Sequence, residues 1–158
     1  GSATLRRDDL VGQRNPTLAW ILRDRTLPKF EEERDFRVVC RESGSERSDL
    51  PIFTVMPGVI QMDSASNLPV SRMDMKEVPG GFILENVLTS SECDQIIKLS
   101  EACGYTEDAP TVLGREVRQN ENCVWIVDDA LCKDIFQRCV GVLPADVQGG
   151  EVCGLSAR

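Results

Sequence analysis

The sequence contains no histidine among its 158 residues, and this absence excludes several kinds of site. A cysteine nucleophile activated by a histidine base cannot be built from this chain. An iron site made of two histidines and one carboxylate is excluded for the same reason. The chain also lacks a Cys-x-x-Cys pair, so a structural zinc site of the common type is not expected.

Aromatic residues and long apolar runs are scarce as well. Only 5% of the residues are aromatic, so a core has few large anchors. No apolar run approaches the ~20 residues that a bilayer-spanning helix needs, and we expect no membrane partner. Hydrophobic content of 41% and charged content of 28% are ordinary for a globular protein. The length predicts one domain, or one domain with a tail.

The net charge of −8 is unevenly distributed. Residues 1–76 carry twelve Lys/Arg and twelve Asp/Glu, whereas residues 77–158 carry six Lys/Arg and fourteen Asp/Glu. An acidic half disfavours binding to nucleic-acid phosphates, which relies on clustered basic residues. We therefore expect no nucleic-acid partner. Together with the poorer periodicity before residue 77, this predicts a polar N-terminal arm and linker over 1–76 and an α+β domain over 77–158.

The arm contains a predicted short helix near 16–26, since Asn15-Pro16 suits the first positions of a helix. Apolar residues lie on one side of it, with Trp20 beside them. Two interpretations stay open: this helix contacts a partner near Trp20, or it folds back on its own domain. Further on, the apolar segment 51–62 is broken by Pro57-Gly58 and predicts two short strands with a turn.

The second half alternates helical and strand patterns. Thr89 and Glu92 have the spacing of a capping box, and Gly104 suits a helix end, which predicts a helix at 90–103. Asp128 or Asp129 can cap a second helix near 129–140. Short β-prone runs predict strands near 82–87, 123–127 and 151–155. The expected fold class is α+β, with helices packed on a small sheet.

Seven cysteines remain to be placed, and an odd number argues against a fully paired disulfide framework. Most lie on the faces of predicted helices or strands, where a free cysteine behaves as a small apolar residue. Buried, reduced thiols are therefore our interpretation. This interpretation favours a reducing compartment and predicts a cytoplasmic protein.

The order of several short motifs resembles the N-terminal part of the Fe(II)/2-oxoglutarate-dependent oxygenases of the prolyl 4-hydroxylase type. The resemblance covers about residues 78–158. The motifs that carry it are, in order, Gly81-Phe82-Ile83-Leu84, Ser90-Ser91-Glu92-Cys93-Asp94, Val117-Arg118-Gln119-Asn120-Glu121-Asn122, Asp128-Asp129, the helix with Leu131 and Arg138, Leu143-Pro144, and Val152-Cys153-Gly154-Leu155.

The resemblance implies a function for a longer protein. In that family a double-stranded β-helix follows, and two histidines and an aspartate hold the iron beside 2-oxoglutarate. This chain would then be the support layer of an incomplete fold, with no cofactor and no catalytic residue of its own. Fe(II) and 2-oxoglutarate are implied for the full-length protein. By the same resemblance, Arg118, Asn120 and Asn122 would contact a peptide or a small polar substrate.

Other interpretations of these residues stay open. The run from Arg118 to Asn122 also fits a polar loop that leads into the strand at Cys123. The chain as a whole also fits a non-catalytic protein-interaction module that kept the support layer, or a small structural α+β domain. A gene that continues past Arg158 with a His-x-Asp pattern would favour the oxygenase.

Overall fold

The computed structural model describes residues 29–64, 69–110, 116–117, 120–147 and 149–156. Within these ranges the chain is mixed α+β, which confirms the predicted fold class. The predicted helix near 16–26, with Trp20, lies outside the described residues. The elements are β1 (Phe36–Glu42), β2 (Leu50–Val55), β3 (Ser71–Asp74), β4 (Phe82–Glu85), α1 (Ser90–Cys103), β5 (Trp125–Ile126), α2 (Asp129–Cys139), β6 (Asp146–Val147) and β7 (Gly150–Glu151).

The largest sheet has three strands in the order β1-β2-β5. β1 and β2 are antiparallel, whereas β5 runs parallel to β2, with Phe53 opposite Trp125. Strands β1 and β2 come from the range 1–76, for which the sequence predicts an arm and linker, and β5 comes from the range 77–158. The sheet thus joins the two predicted ranges. The other two sheets, β3-β4 and β6-β7, have two strands each, and no barrel closes within the described ranges.

The segment after β2 differs from the prediction of two strands within 51–62. Only β2 forms, because Pro57 and Gly58 make a turn in which Gly58 has φ +77°. Beyond the turn, the backbone of Gln61 pairs with a side chain instead of a strand. Its N–H donates to Gln95 Oε1 at 2.8 Å, and its carbonyl accepts from Gln95 Nε2 at 3.0 Å. These bonds fix the segment to α1.

The core lies where the three-stranded sheet meets the two helices. The rings of Phe36 and Phe53 pack edge to face, with centroids 5.8 Å apart and planes at 77°, a favoured aromatic geometry. Leu99 of α1 is fully buried in the same cluster, and Leu131 extends it into α2. A single contiguous apolar cluster therefore holds both helices to the sheet.

Both helices begin as the sequence predicts. The capping box of α1 is present, and Gly104 ends the helix with φ +87°. Asp128 caps α2 by accepting from the Leu131 amide at 2.8 Å. Neither helix within the described ranges has the length and apolar character needed to cross a bilayer.

The hairpin β3-β4 presents two different faces. On one face Arg72 stacks over the Phe82 ring at 4.3 Å. On the other, Met73 and Ile83 are cross-strand partners that are 51% and 44% exposed. This second face, the outward face of the hairpin, therefore exposes the apolar side chains of Met73 and Ile83 to solvent. Val78, in the turn of the hairpin, is 48% exposed as well.

Candidate functional site

The polar run from Arg118 to Asn122 is the last part of a longer segment that follows α1. This longer segment begins at Thr106 and ends at Asn122, and its two ends are hydrogen-bonded to each other. The Thr106 amide donates to the Asn122 carbonyl at 2.8 Å, and the Asn122 amide donates to the Thr106 carbonyl at 2.7 Å. The Thr106 hydroxyl also donates to the Asp108 carbonyl at 2.6 Å. This bridge brings both ends of the segment between Thr106 and Asn122 together beside the C-terminal end of α1.

Two of the three predicted substrate-binding residues are brought together at this base. The Asn120 side-chain amide donates to Asn122 Oδ1 at 3.2 Å, and the Asn122 side-chain amide donates to the Asn120 carbonyl at 3.0 Å. Asn120 is exposed and Asn122 is half-buried. Arg118 lies outside the described residues. Carboxamides held in this way present both donors and acceptors at a surface.

A shallow cleft adjoins Asn122. Its empty volume, which is open to solvent, is ≈ 240 Å³. The lining combines apolar residues of β2 with residues from both ends of the bridged segment: Leu50, Pro51, Phe53, Gly104, Thr106, Pro110, Asn122, Cys123 and Val124. Because this volume includes open solvent, the cleft is a surface depression and not an enclosed pocket of the kind that holds drug-sized ligands.

Asp108 fixes the start of the Thr106–Asn122 segment to the loop of residues 45–47. The residue is only 5% exposed, and its carboxylate accepts from the amides of Glu46 at 2.9 Å, Arg47 at 2.8 Å and Ala109 at 2.9 Å. Ser45 contributes its amide at 3.2 Å and its hydroxyl at 2.9 Å. Asp108 is therefore a buried, fully hydrogen-bonded carboxylate, although its place between Glu107 and Pro110 in a loop would suggest a solvated side chain.

The electrostatics of Asp108 follow from these donors. Burial by itself would raise the pKa of the carboxyl, but the amides and the Ser45 hydroxyl hydrogen-bond to the charged form, so the pKa lies well below its usual 3.8. The backbone passes so close to Asp108 at Gly44 that an added Cβ would collide with Asp108 Oδ2. Gly44, which stands directly before the three amides that bind the carboxylate, is a local signal for this site.

A second buried carboxylate, Glu92, ties the two helices together. Arg138 makes a bidentate ion pair with Glu92, in which Nη1 donates to Oε2 and Nη2 donates to Oε1, each at 2.7 Å. The Asp63 amide donates to Oε1 at 2.7 Å and the Thr89 amide to Oε2 at 2.8 Å. Arg138 also donates to the carbonyls of Val87 at 3.0 Å and Asp63 at 2.9 Å.

These contacts set the charge of the pair. The guanidinium of Arg138 hydrogen-bonds to the carboxylate, and against the opposing effect of burial it lowers the pKa of Glu92 from 4.5 to about 2. The same bonds raise the pKa of Arg138. Sequence reasoning identified Glu92 as a capping residue but missed its partner. The signal was present: Arg138 follows Leu131 and Ile135 at helical spacing, so a charged residue lies on the apolar face of α2.

The donor set of this chain does not fit a catalytic iron of the two-histidine type, because the sequence has no histidine. Among the described residues, no three Cys, Asp or Glu side chains come close enough together to hold a metal ion. Asp128 and Glu92 serve helix capping and the ion pair instead.

Comparison with known proteins finds no family model, no curated protein and no solved structure that this chain matches. Its function must therefore be argued from its own residues.

Proposed function

We propose that this chain is the N-terminal segment of a Fe(II)/2-oxoglutarate-dependent dioxygenase of the prolyl 4-hydroxylase type. In this proposal the chain is not catalytic by itself. It supplies helical support and a substrate-side segment, with Arg118, Asn120 and Asn122 contacting a peptide or a small polar substrate. Fe(II) and 2-oxoglutarate would bind to parts of the full-length protein that supply the histidines.

The observation that carries the proposal is the position of Asn120 and Asn122. They pair at the surface, beside an open cleft, on a segment closed by the bridge from Thr106 to Asn122. A polar pair held on a closed base can hydrogen-bond a substrate backbone without first having to be ordered.

The order of the elements gives further support. Most of the resembling motifs fall on β4, on the capped start of α1, just before β5 and on α2, whereas Leu143-Pro144 and the run from Val152 to Leu155 lie outside the helices and strands. Arg138 and Glu92, which both belong to those motifs, form the ion pair that joins the two helices. Two of these motifs therefore pack against each other, as the proposed support layer requires.

The outward face of the β3-β4 hairpin bears on the alternative. Met73 and Ile83 are exposed side by side, so a surface that covered this face would bury both of them. This face suits a further layer of the same enzyme. It equally favours the second candidate, a non-catalytic protein-interaction module. A reducing location such as the cytoplasm suits either function, since all seven cysteines are free.

An activity assay separates the two candidates. The full-length product of the gene should release succinate from 2-oxoglutarate when Fe(II) and substrate are present, whereas the 158-residue chain alone should release none above a no-protein control. The reason is the missing histidine ligands. Fe(II)-dependent succinate release by the chain alone would contradict this prediction. A full-length product without a His-x-Asp pattern and without turnover would leave the interaction module as the function.

The substrate role of Arg118 can be tested in the full-length enzyme. Arg118→Ala should reduce kcat/KM roughly 10- to 150-fold, because a lost charge-assisted hydrogen bond costs about 1.5–3 kcal/mol. The melting temperature should stay unchanged, since surface substitutions usually alter stability by about 0.5 kcal/mol or less. Arg37→Ala, which removes an exposed arginine of β1, is the matched control and should leave both values unchanged. A lower melting temperature with normal kinetics would make Arg118 a structural residue.

A further inference from the structure

Two cysteines meet at the base of the bridged segment. Cys103 is the last residue of α1, and Cys123 follows Asn122 just before β5. The bridge between Thr106 and Asn122 runs antiparallel, so the chain on either side of it stays close. The Trp125 indole N–H donates to the Ser100 hydroxyl at 3.3 Å, which ties the start of β5 to the last turn of α1.

The two cysteines share the same surroundings. Both lie between the Ser100–Trp125 hydrogen bond and the Thr106–Asn122 bridge, and both are half-buried against the same core cluster. Cys123 also lines the cleft that opens to solvent. By contrast, Cys132 and Cys139 are buried within α2. The pair therefore combines proximity between two cysteines with a route for a small reagent.

We propose that Cys103 and Cys123 form a redox site, in which hydrogen peroxide or a similar small peroxide converts the two thiols into an intramolecular disulfide. The site would operate in a protein whose thiols are otherwise reduced. The existence of this redox site is independent of the oxygenase proposal.

The chemistry balances with peroxide as the oxidant. The Cys123 thiolate attacks one peroxide oxygen, the O–O bond breaks, and the departing hydroxide takes up the thiol proton to give water and a sulfenic acid. The Cys103 sulfur then attacks the Cys123 sulfur, the S–O bond breaks, and the Cys103 proton leaves with the hydroxyl as a second water. Two electrons pass from the thiols to the peroxide, and one S–S bond forms.

The position of Cys123 at the open cleft assigns the two roles, and the pKa directions of the two thiols agree with it. Because the Cys103 thiol can donate its hydrogen bond to the Cys123 sulfur, the pKa of Cys123 is lowered and that of Cys103 is raised. The thiolate is the reactive form, so Cys123, at the cleft, reacts first. Cys103, whose thiol stays protonated, resolves the intermediate.

The disulfide would have a structural consequence. It would close a covalent ring around the segment from Gly104 to Asn122 and fix the end of α1 to the start of β5. Asn120 and Asn122 lie at the base of that ring. If the proposed function is correct, the redox state of the pair would then regulate the substrate-side segment. This last clause alone rests on the proposed function.

Peptide mapping without reductant tests the site directly on the wild-type chain. After brief exposure to hydrogen peroxide and alkylation of the remaining thiols, trypsin should release peptides 99–115 and 119–133 as one linked species, two hydrogens lighter than their sum. Because peptide 119–133 contains both Cys123 and Cys132, fragment spectra must place the link on Cys123. Dithiothreitol should restore the two separate peptides.

Matched variants complete the experiment. Cys123→Ser should abolish the linked species, whereas Cys93→Ser, which removes a half-buried thiol from the same helix, should leave it intact. Recovery of Cys103 and Cys123 as free thiols, as separately over-oxidised residues or in links to other cysteines would overturn the proposal.

Hydrogen exchange of residues 106–122 should slow in the linked form. An unchanged exchange rate would refute the structural consequence, and absent succinate release would refute only the oxygenase function.

Discussion

Replacing Arg138 by methionine should lower the free energy of unfolding by about 3–5 kcal/mol. Arg138 is the charge partner of Glu92, whose side chain is 0% exposed and 2.7 Å from the guanidinium. Methionine fills a similar volume but leaves the Glu92 carboxylate buried without its counter-charge. Two backbone carbonyls, of Val87 and Asp63, would also lose their donor. Urea unfolding followed by circular dichroism measures the change.

The matched control is Arg47→Met. Arg47 makes an ion pair with Asp49 at 3.0 Å, but the two side chains are 49% and 58% exposed. Exposed pairs contribute little because solvent screens them, so this variant should unfold at nearly the same urea concentration as the wild type. Equal loss of stability in both variants would mean that the Glu92–Arg138 pair does not hold the helices together.

Helix ends were predictable because their signals are local. Thr89, Glu92 and Gly104 lie within the same short stretch as α1, and each makes the hydrogen bond or adopts the backbone angle that its residue type favours. Asp128 does the same for α2. In both cases the residue and the group it satisfies are three or four positions apart, so the sequence alone contains the interaction.

Strand β1 could not be predicted in the same way. Only Phe36 of its seven residues is buried, and the register shift between Val38 and Cys40 breaks the alternation that marks a half-buried strand. β1 forms because β2 offers it a partner strand. A strand that is stabilised mainly by pairing with its neighbour need not show an alternation of buried and exposed residues in its own sequence.

The buried face of α1 shows the same limit. Cys93 and Ile97 are four positions apart, which is the spacing of one apolar helix face, yet Ile97 is 39% exposed while Glu92 and Gln95 are buried. These polar residues can be buried because Arg138 and the backbone of Gln61 satisfy them. Those partners lie 46 and 34 positions away in the sequence, beyond any local pattern.

For the candidate site, the sequence singled out the polar run from Arg118 to Asn122 but not the residues that hold it in place. The paired side chains of Asn120 and Asn122 lie within the predicted polar run, and their substrate role stays a prediction. Asp108, which anchors the segment, depends on amides of residues 45–47, more than sixty positions away. The proximity of Cys103 and Cys123 likewise depends on how the chain returns at the bridge between Thr106 and Asn122.

The chain should lose stability in acid, and Glu92 should account for about 3 kcal/mol of the loss. Its folded-state pKa is about 2, whereas its ordinary value is 4.5. A carboxyl whose pKa is depressed by folding stabilises the protein fully above the ordinary value. That contribution disappears as the pH falls from 4.5 toward 2, because the unfolded chain takes up the proton first. The depressed pKa of Asp108 acts in the same direction.

Comparison with a Glu92→Gln variant isolates this contribution. Glutamine has nearly the same shape but does not titrate, so the variant should start less stable at pH ~7 and lose less stability as the pH falls. The difference between the two unfolding free energies should shrink from pH ~5 to pH ~2. Because the pair is buried, added salt should change this difference little, whereas it screens exposed pairs. Parallel pH curves for the two proteins would mean that Glu92 keeps its ordinary pKa in the folded chain, and the proposed tie between the helices would then be wrong.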